Sequence, residues 1–598
     1  MRRSLLVQFS VIVLAIAVCR PAAAQQVQVE TFTLDNGMKF LLVPRTDQPN
    51  NIAAGWLAKV GSVNERPGIT GISHFFEHMM FKGTDTIGTR DAAKDHEFMA
   101  KQKAVKDKIN ALVWNTQYKR YKAGEIDDPW DPANDTEELK ALRAELKSLM
   151  DAHAKAIVKN EFDSVYTKLG GSGMNAFTTN DLTFYFINVP SNKFELWAWM
   201  ESDRLNNSVF REFYSERDVV HEERRLRTES TPTGIFQEQF DAMFWQSSPY
   251  SWPVIGWTSD LNSYTMEEAQ RYFNIYYRPN NLVGVIVGDF DPAAVKPVIK
   301  EYFSRLKRGE QEPPPVVTLE MHQNSEQRMY AQCDCQPQIE VRYHAVPFNH
   351  ADSFALEVMS RVLNGRTGRL YKAMVEGKKI ASGASASSSA FGGPSKYAGS
   401  FSFDAEVKGD ATPEQLEAAW YEELARLQSE PVGERELQKV KNQIAAEAYR
   451  RLQNNFFLML QLGYYEGLGG WEYINESPTK LQTVMPEDIQ RVAKKYFEPT
   501  NRSVAIYTRK AGTGAADDPE LAAIDPSIRA QMVTPALKYI ESKDDPAELQ
   551  AMLSQIEASM PMMESRKDQM PPGAIDGMKY VLKKLREKIE SLNAGKSE

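Results

Sequence analysis

Cysteine is almost missing from this chain, with three in 598 residues: Cys19, Cys333 and Cys335. That excludes a disulfide-built scaffold. A bridge between Cys333 and Cys335 would have to close across one residue, and no other metal-binding partners sit beside them, so the pair reads as incidental. Positive charge is also short. The formal net charge is −9 and the pI near 5.7, which argues against a broad basic face for nucleic acid. Histidine is scarce, at eight residues. Beyond the first 24 residues no apolar run approaches the ~20 needed to span a bilayer. The remaining composition is ordinary for folded protein, 42% hydrophobic and 25% charged, and the chain is long enough for several domains.

The N-terminus holds the one long apolar run. Arg2 and Arg3 precede a 14-residue stretch, 5–18, broken only by Gln8 and Ser10, and Ala22-Ala23-Ala24 comes next. This is the basic, apolar and small-residue pattern of a secretory signal. The expectation is a leader, 1–24, cleaved after Ala24, and an exported, periplasmic protein with no stable membrane span in its mature form.

A duplication is visible in the rest of the chain. Residues 266–283 (MEEAQRYFNIYYRPNNLV) match 486–503 (PEDIQRVAKKYFEPTNRS) at an offset of 220, with Glu267, Gln270, Arg271, Tyr276, Pro279 and Asn281 repeated as Glu487, Gln490, Arg491, Tyr496, Pro499 and Asn501. Each copy reads as a helix, a Pro-Asn turn and a β-rich run. Two copies of one α+β unit are the economical reading. An earlier segment, 71–83, matches 353–365 at an offset of 282, so the first copy carries about 62 extra residues, the difference between 282 and 220. The segment 97–162, rich in Lys, Glu and Ala, supplies them and reads as a helical hairpin, with Asp135 and Glu138 as a capping box for its second arm. The expected organisation is a first domain at 25–306 with that insertion, a Pro-rich linker at 307–318, a second domain at 319–510 and a helical tail at 511–598.

The chemistry concentrates at His74-Phe75-Phe76-Glu77-His78. On a helix, residues i and i+4 share a face, so His74 and His78 can hold one metal ion. Glu77 stands beside them, placed to touch a metal-bound water rather than the metal. Two histidines, a carboxylate and an open position make a catalytic zinc site, in which a nearby carboxylate moves the proton. The spelling inverts the commoner H-E-x-x-H motif. A third ligand comes best from 216–223 (ERDVVHEE), where Glu216 and Glu223 are two helical turns apart and share a face. Glu223 completes a two-histidine, one-carboxylate set, and His221 is a rival donor.

These segments resemble the insulinase/pitrilysin family (M16) of zinc metallopeptidases, in its short, two-domain bacterial form. The residues that carry the resemblance are GISHFFEHMMFKGT at 71–84, GGSGMNAFTTNDLTFYFINVP at 170–190, ERDVVHEE at 216–223 and the paired half-units, covering roughly 28–510 without the insertion. The resemblance implies an α+β fold of two homologous sheet-plus-helices domains, LuxS/metallohydrolase-like halves. It implies one Zn2+ per chain held by His74, His78 and Glu223, with Glu77 as general base and Glu216 supporting a ligand. It implies that Asn175, Ala176 and Phe177 belong to an edge strand to which a peptide substrate adds. The 145-residue gap from His78 to Glu223 is long for the family, and removing the 62-residue excess leaves 83.

In the second copy Leu356, Met359 and Ser360 replace the motif, so that half is expected to be inert. The resemblance implies that the inert half supplies an Arg and a Tyr for the transition-state oxygen; no clean pair is visible near 397–408, and a partner subunit is the alternative source. Short members of the family pair as homodimers or with a related subunit. The function implied is an exported zinc endopeptidase acting on peptides or unfolded segments through a zinc-activated water. The alternative is a non-proteolytic periplasmic binding or scaffold subunit of a peptidase-like assembly.

Overall fold

The computed structural model describes residues 26–388, 395–510, 519–525, 528–543, 545–565, 571 and 573–594. The expected leader, 1–24, lies outside the described residues. The chain falls into two compact units, one of residues 1–331 and 337–506, the other of 332–336 and 507–598.

Two sheets run through the first unit, all but the last residues of two strands, 332–333 and 507–509, falling within it. The first contains β1 (Glu30–Thr33), β2 (Lys39–Pro44), β3 (Ile52–Ala58), β4 (Ser172–Thr178), β5 (Thr183–Val189) and β6 (Leu282–Gly288), in the order β1-β2-β6-β3-β5-β4. The second contains β7 (Gln327–Cys333), β8 (Gln338–Ala345), β9 (Ala381–Ser387), β10 (Gly399–Val407) and β11 (Arg502–Arg509), in the order β7-β11-β8-β10-β9. Without β1 the two orders are the same. The continuous apolar strands β3 (IAAGWLA) and β6 (LVGVIVG) are buried along their whole length, as strands covered on both faces must be. Polar β4 (SGMNAFT) takes an edge and stays half exposed.

The repeated residues do the same work in each half. Pro279–Asn281 and Pro499–Asn501 form single turns of 3-10 helix. The Asn281 side chain donates to the Tyr276 carbonyl (2.9 Å), and Asn501 donates to the Tyr496 carbonyl (2.7 Å). Each bond ties the end of a helix to the start of the central strand that comes after it.

Each half also lends the other a helix. Gly234–Phe244 lies against the second sheet: Phe244 stacks on His344 with ring centroids 4.0 Å apart, and Asp241 pairs with Arg342 at 2.6 Å. Its counterpart Asn455–Leu468 covers the back of the first sheet, packing Leu458, Met459 and Leu462 among Leu41, Leu57, Phe184 and Val285. At its end the buried Glu466 receives Lys39 and Lys59, each at 3.0 Å. Gly463 and Gly467 bring that helix close enough that an added Cβ would collide with Phe184 and Leu182.

The insertion is a helical hairpin, Ala92–Leu112 paired with Glu137–Ala154. Its second arm is capped by Thr136, whose side chain accepts from the Leu139 N–H, not by the expected Asp135–Glu138 box. Asp135 lies one residue too early and turns instead to Arg143, at 2.5 Å. At the base, Asp95 from one arm meets His153 from the other and also takes the Arg211 guanidinium at 2.6 Å, all three buried.

The second unit has helices Thr534–Glu541, Pro546–Ser565 and Ala574–Ala594 around Val533, Ile540, Leu549, Val581 and Leu585. Cys333 and Cys335, read from the sequence as incidental, are disulfide-bonded, with Cα atoms 5.2 Å apart. That separation lies within the usual reach of a bridge, because the chain turns at the end of β7 and brings the two positions together. Among the described residues no helix is long and apolar enough to cross a membrane.

Gly463→Ala tests the helix exchange. Alanine favours helix over glycine by about 1 kcal/mol, but overpacking against the fully buried Phe184 ring costs about 1–3 kcal/mol. The expected result is a lower midpoint in thermal or denaturant unfolding; a raised midpoint would show that the close contact contributes nothing.

Candidate metal centre

The helix Ile72–Met79 starts at Gly71, whose φ of 86° suits glycine. An added Cβ there would meet the Ile255 carbonyl and Gly256. Glycine has no side chain to cap the helix, so the carboxylate of Glu65 does it from outside, accepting the N–H groups of Gly71 (2.7 Å) and Ser73 (2.8 Å). Burial pushes Glu65 up to about 8, against those two bonds. Ser73 Oγ bonds Tyr272 Oη at 2.6 Å, and Phe75 packs edge-on against Phe213 of the next functional helix.

That second helix, Phe213–Arg224, carries Glu216, His221 and Glu223. Among the described residues, one group of His, Cys, Asp and Glu side chains brings three possible metal donors together: His74, His78 and Glu223, with donor atoms all within 4.8 Å. Glu223 Oε2 lies 3.6 Å from His74 Nε2 and 3.2 Å from His78 Nε2. His221 is not in the group. Glu216 is not in it either; its Oε1 receives His78 Nδ1 at 2.9 Å, and its Oε2 lies 2.5 Å from Lys82 Nζ. Glu222 is exposed and paired with Arg225.

Glu77 lines a cleft of about 480 Å³ together with His78, Asn160, Phe162, Asn175 and Glu216. Glu77 Oε2 accepts the Thr178 hydroxyl at 2.7 Å. Thr178 went unnoticed in the sequence. The period-2 rule could have found it, because it shares a strand face with Ala176, and that face looks toward the histidine helix. Phe177 points the other way, into Phe184 and Phe186. Asn175 Oδ1 accepts the N–H of Ala176 at 2.9 Å. All three lie on β4, at the edge of the sheet.

Electrostatics separates the two imidazoles. Burial, and then the charge of His78, hold His74 down to about 4. Burial also works against the charge on His78, but Glu216 and Glu223 outweigh it and push His78 up to about 9. The pair therefore carries a single positive charge at neutral pH, on His78. The hydrogen bond from His78 holds Glu223 below the usual carboxylate range, against burial. Burial raises Glu77, against the Thr178 hydroxyl.

The donors fit a zinc ion on this geometry. Tetrahedral bonds of ~2.0–2.1 Å put ligand atoms ~3.3 Å apart, which the two separations to Glu223, 3.2 and 3.6 Å, bracket, while the two histidine donors lie within 4.8 Å of each other. His74 is already neutral, the form a metal takes. The Nδ1 of His78 is engaged by a carboxylate, which fixes the ring so that Nε2 faces the site. In the second half Leu356, Met359 and Ser360 stand at the equivalent positions; Leu356 and Ser360 line a cavity of about 850 Å³.

Two like sheet-and-helix halves, the first of which carries such a cluster, define a class, the two-domain metallopeptidase fold. Two family descriptions match the chain: Insulinase (Peptidase family M16) over residues 42–109, and Peptidase M16 inactive domain over 263–444. The zinc protease PqqE of Helicobacter pylori is 24% identical over 486 residues, covering 80% of this chain and 92% of that protein. The crystal structure of a protease from Helicobacter pylori superposes with a TM-score of 0.65 at 23% identity, covering 81% of this chain and all of that one. The periplasmic protease PqqL of Escherichia coli superposes with a TM-score of 0.60 at 17% identity, over 84% of this chain and 49% of that one. The chain belongs to the insulinase/pitrilysin family, M16, the family of zinc peptidases.

Metal binding should be linked to the His78 proton. The folded value, about 9, lies above the ordinary 6.5. In metal-free protein the proton's stabilising contribution is therefore full below pH 6.5 and is lost as pH rises through 9. Zinc needs the neutral ring, so zinc affinity should rise from pH 7 to 9, with one proton released per ion at pH 7 in calorimetry run in two buffers. Flat affinity across that range would contradict the linkage. Glu216→Ala should weaken zinc about 10–100-fold in chelator competition and flatten the pH dependence.

Proposed function

We propose that the chain is an exported zinc-dependent endopeptidase that hydrolyses peptides or unfolded polypeptide segments. The observation that carries the reading is the convergence of His74, His78 and Glu223 beside Glu77, next to a sheet edge that is open to an added strand. His74, His78 and Glu223 would hold one Zn2+ per chain. Zinc would supply Lewis acidity toward the scissile carbonyl and lower the pKa of water at the site.

The chain's own residues do the rest. An extended peptide adds to the free side of β4, where backbone hydrogen bonds give sequence-tolerant affinity. It displaces the Asn175 side chain from the Ala176 N–H, and that amide then pairs with the substrate. Glu77 takes the proton of the attacking water and delivers it to the leaving amine. Its raised affinity for protons suits both halves of that transfer, and Thr178 holds the carboxylate in place from the same strand that receives the substrate.

The periplasmic protease PqqL shares this fold, and a Cys333–Cys335 disulfide suits an oxidising compartment; both support export. The donors for the transition-state oxygen would come from a partner subunit, a second copy or a related M16 chain. The match to an inactive domain favours the alternative of a non-proteolytic binding subunit. It covers 263–444 only, and His74, Glu77, His78 and Glu223 all lie outside it.

Glu77→Gln separates the two readings. The variant should keep zinc at the wild-type level by metal analysis and lose about 10²–10⁴-fold in turnover of a quenched peptide. Wild-type cleavage should also stop on chelation. Undiminished cleavage by Glu77→Gln would reject the mechanism, and metal-loaded wild-type protein without any cleavage would favour the binding subunit.

A further inference from the structure

The helix Phe213–Arg224 has a second working face. Glu216 and Glu223 turn one way; Tyr214, Arg217 and His221 turn the other, toward the inserted hairpin. There a group of hydrogen-bond donors is buried with too few acceptors. Lys106, 3% exposed, donates to the Asn262 carbonyl at 3.1 Å and lies 5.3 Å from the centre of the Trp130 ring. Arg217, 8% exposed, uses one terminal nitrogen on Asp218 at 3.0 Å, while its Nε and other terminal nitrogen are buried with no acceptor. The Trp130 indole N–H, on a residue 4% exposed, has no acceptor either. His221 meets the side chain of the same Asn262 and leaves its Nε2 buried and unpaired. Lys106 is held well below its ordinary value by burial first, then by Arg217 and Arg143.

The chemistry of this group is nearly one-sided; its one acceptor is the lone pair that His221 keeps at Nε2 while it donates to Asn262. A guanidinium and an indole can only donate, and a guanidinium does not lose its proton. One imidazole lone pair beside a guanidinium does not make a cation site. A buried water accepts two hydrogen bonds but brings no charge. A tetrahedral oxyanion supplies both the acceptors and the compensating charge.

We propose that Lys106, Arg217 and the Trp130 indole form a binding site for a small oxyanion, phosphate or sulfate, between the inserted hairpin and the helix that carries Glu223. The anion cross-links the insertion to the metal-ligand helix. The site is independent of the peptidase reading, since none of its three residues is assigned a part in the chemistry.

The test uses full-length, zinc-loaded protein titrated with inorganic phosphate and with sulfate in a calorimeter, against sodium chloride of matched ionic strength. Saturable binding of one anion per chain is expected, with a melting temperature that climbs with the logarithm of anion concentration. Lys106→Met should weaken binding at least about tenfold, the loss of one charge-assisted hydrogen bond. Should Lys106→Met fail to fold, Trp130→Phe keeps the ring, removes the N–H and is expected to weaken binding in the same direction. No saturable binding beyond the chloride control would overturn the proposal. So would unchanged affinity in whichever variant folds, or binding that chelation of the zinc abolishes, which would place the anion on the metal.

Discussion

The imidazole of His78, gripped by Glu216 on one nitrogen and facing Glu223 with the other, is the interaction on which the arrangement turns. Two short helices from distant parts of the chain must approach until three donor atoms share a few ångströms, and two carboxylates beside two imidazoles would otherwise carry a heavy desolvation cost. Several features hold them in register. Glu65 caps the first helix from outside, and Ser73 ties it to Tyr272. Phe75 locks it against Phe213. Arg211, just ahead of the second helix, binds the carbonyls of Lys82, Thr84 and Ile87 in the loop after the first. Each ligand helix is fixed at an end as well as along a face.

The duplicated architecture explains how one half could give up its chemistry. Sheet order, the Asn–Tyr turn bond and the lent helix are common to both copies, and none of them needs a metal. The first half depends on the second for the helix behind its sheet and for Glu466, the buried partner of Lys39 and Lys59. Loss of the motif to Leu356, Met359 and Ser360 therefore cost the second half its donors without costing the molecule its packing.

The insertion is woven into the same framework. Asp95 joins both of its arms through His153 and reaches Arg211, the residue that braces the loop beside the site. Residues 157–162 at its base line the Glu77 cleft. A hairpin attached this way can bear on the position of the ligand helix without touching a ligand.

Local patterns in the sequence were sufficient for much of this. The i, i+4 spacing of His74 and His78 placed both on one helix face, and the two-turn spacing of Glu216 and Glu223 marked the second helix; the repeat at 220 residues revealed two like units, and the Lys/Glu/Ala run revealed the hairpin. These are short-range signals, fixed by the geometry of a helix or a strand. Three features were legible only in the folded molecule. They are the Thr178 bond to Glu77, the cap supplied by Glu65, and the exchange of helices between halves. Each joins residues 6 to more than 400 positions apart or depends on which way a side chain turns. Periodicity says which residues share a face, but only tertiary packing decides what that face meets.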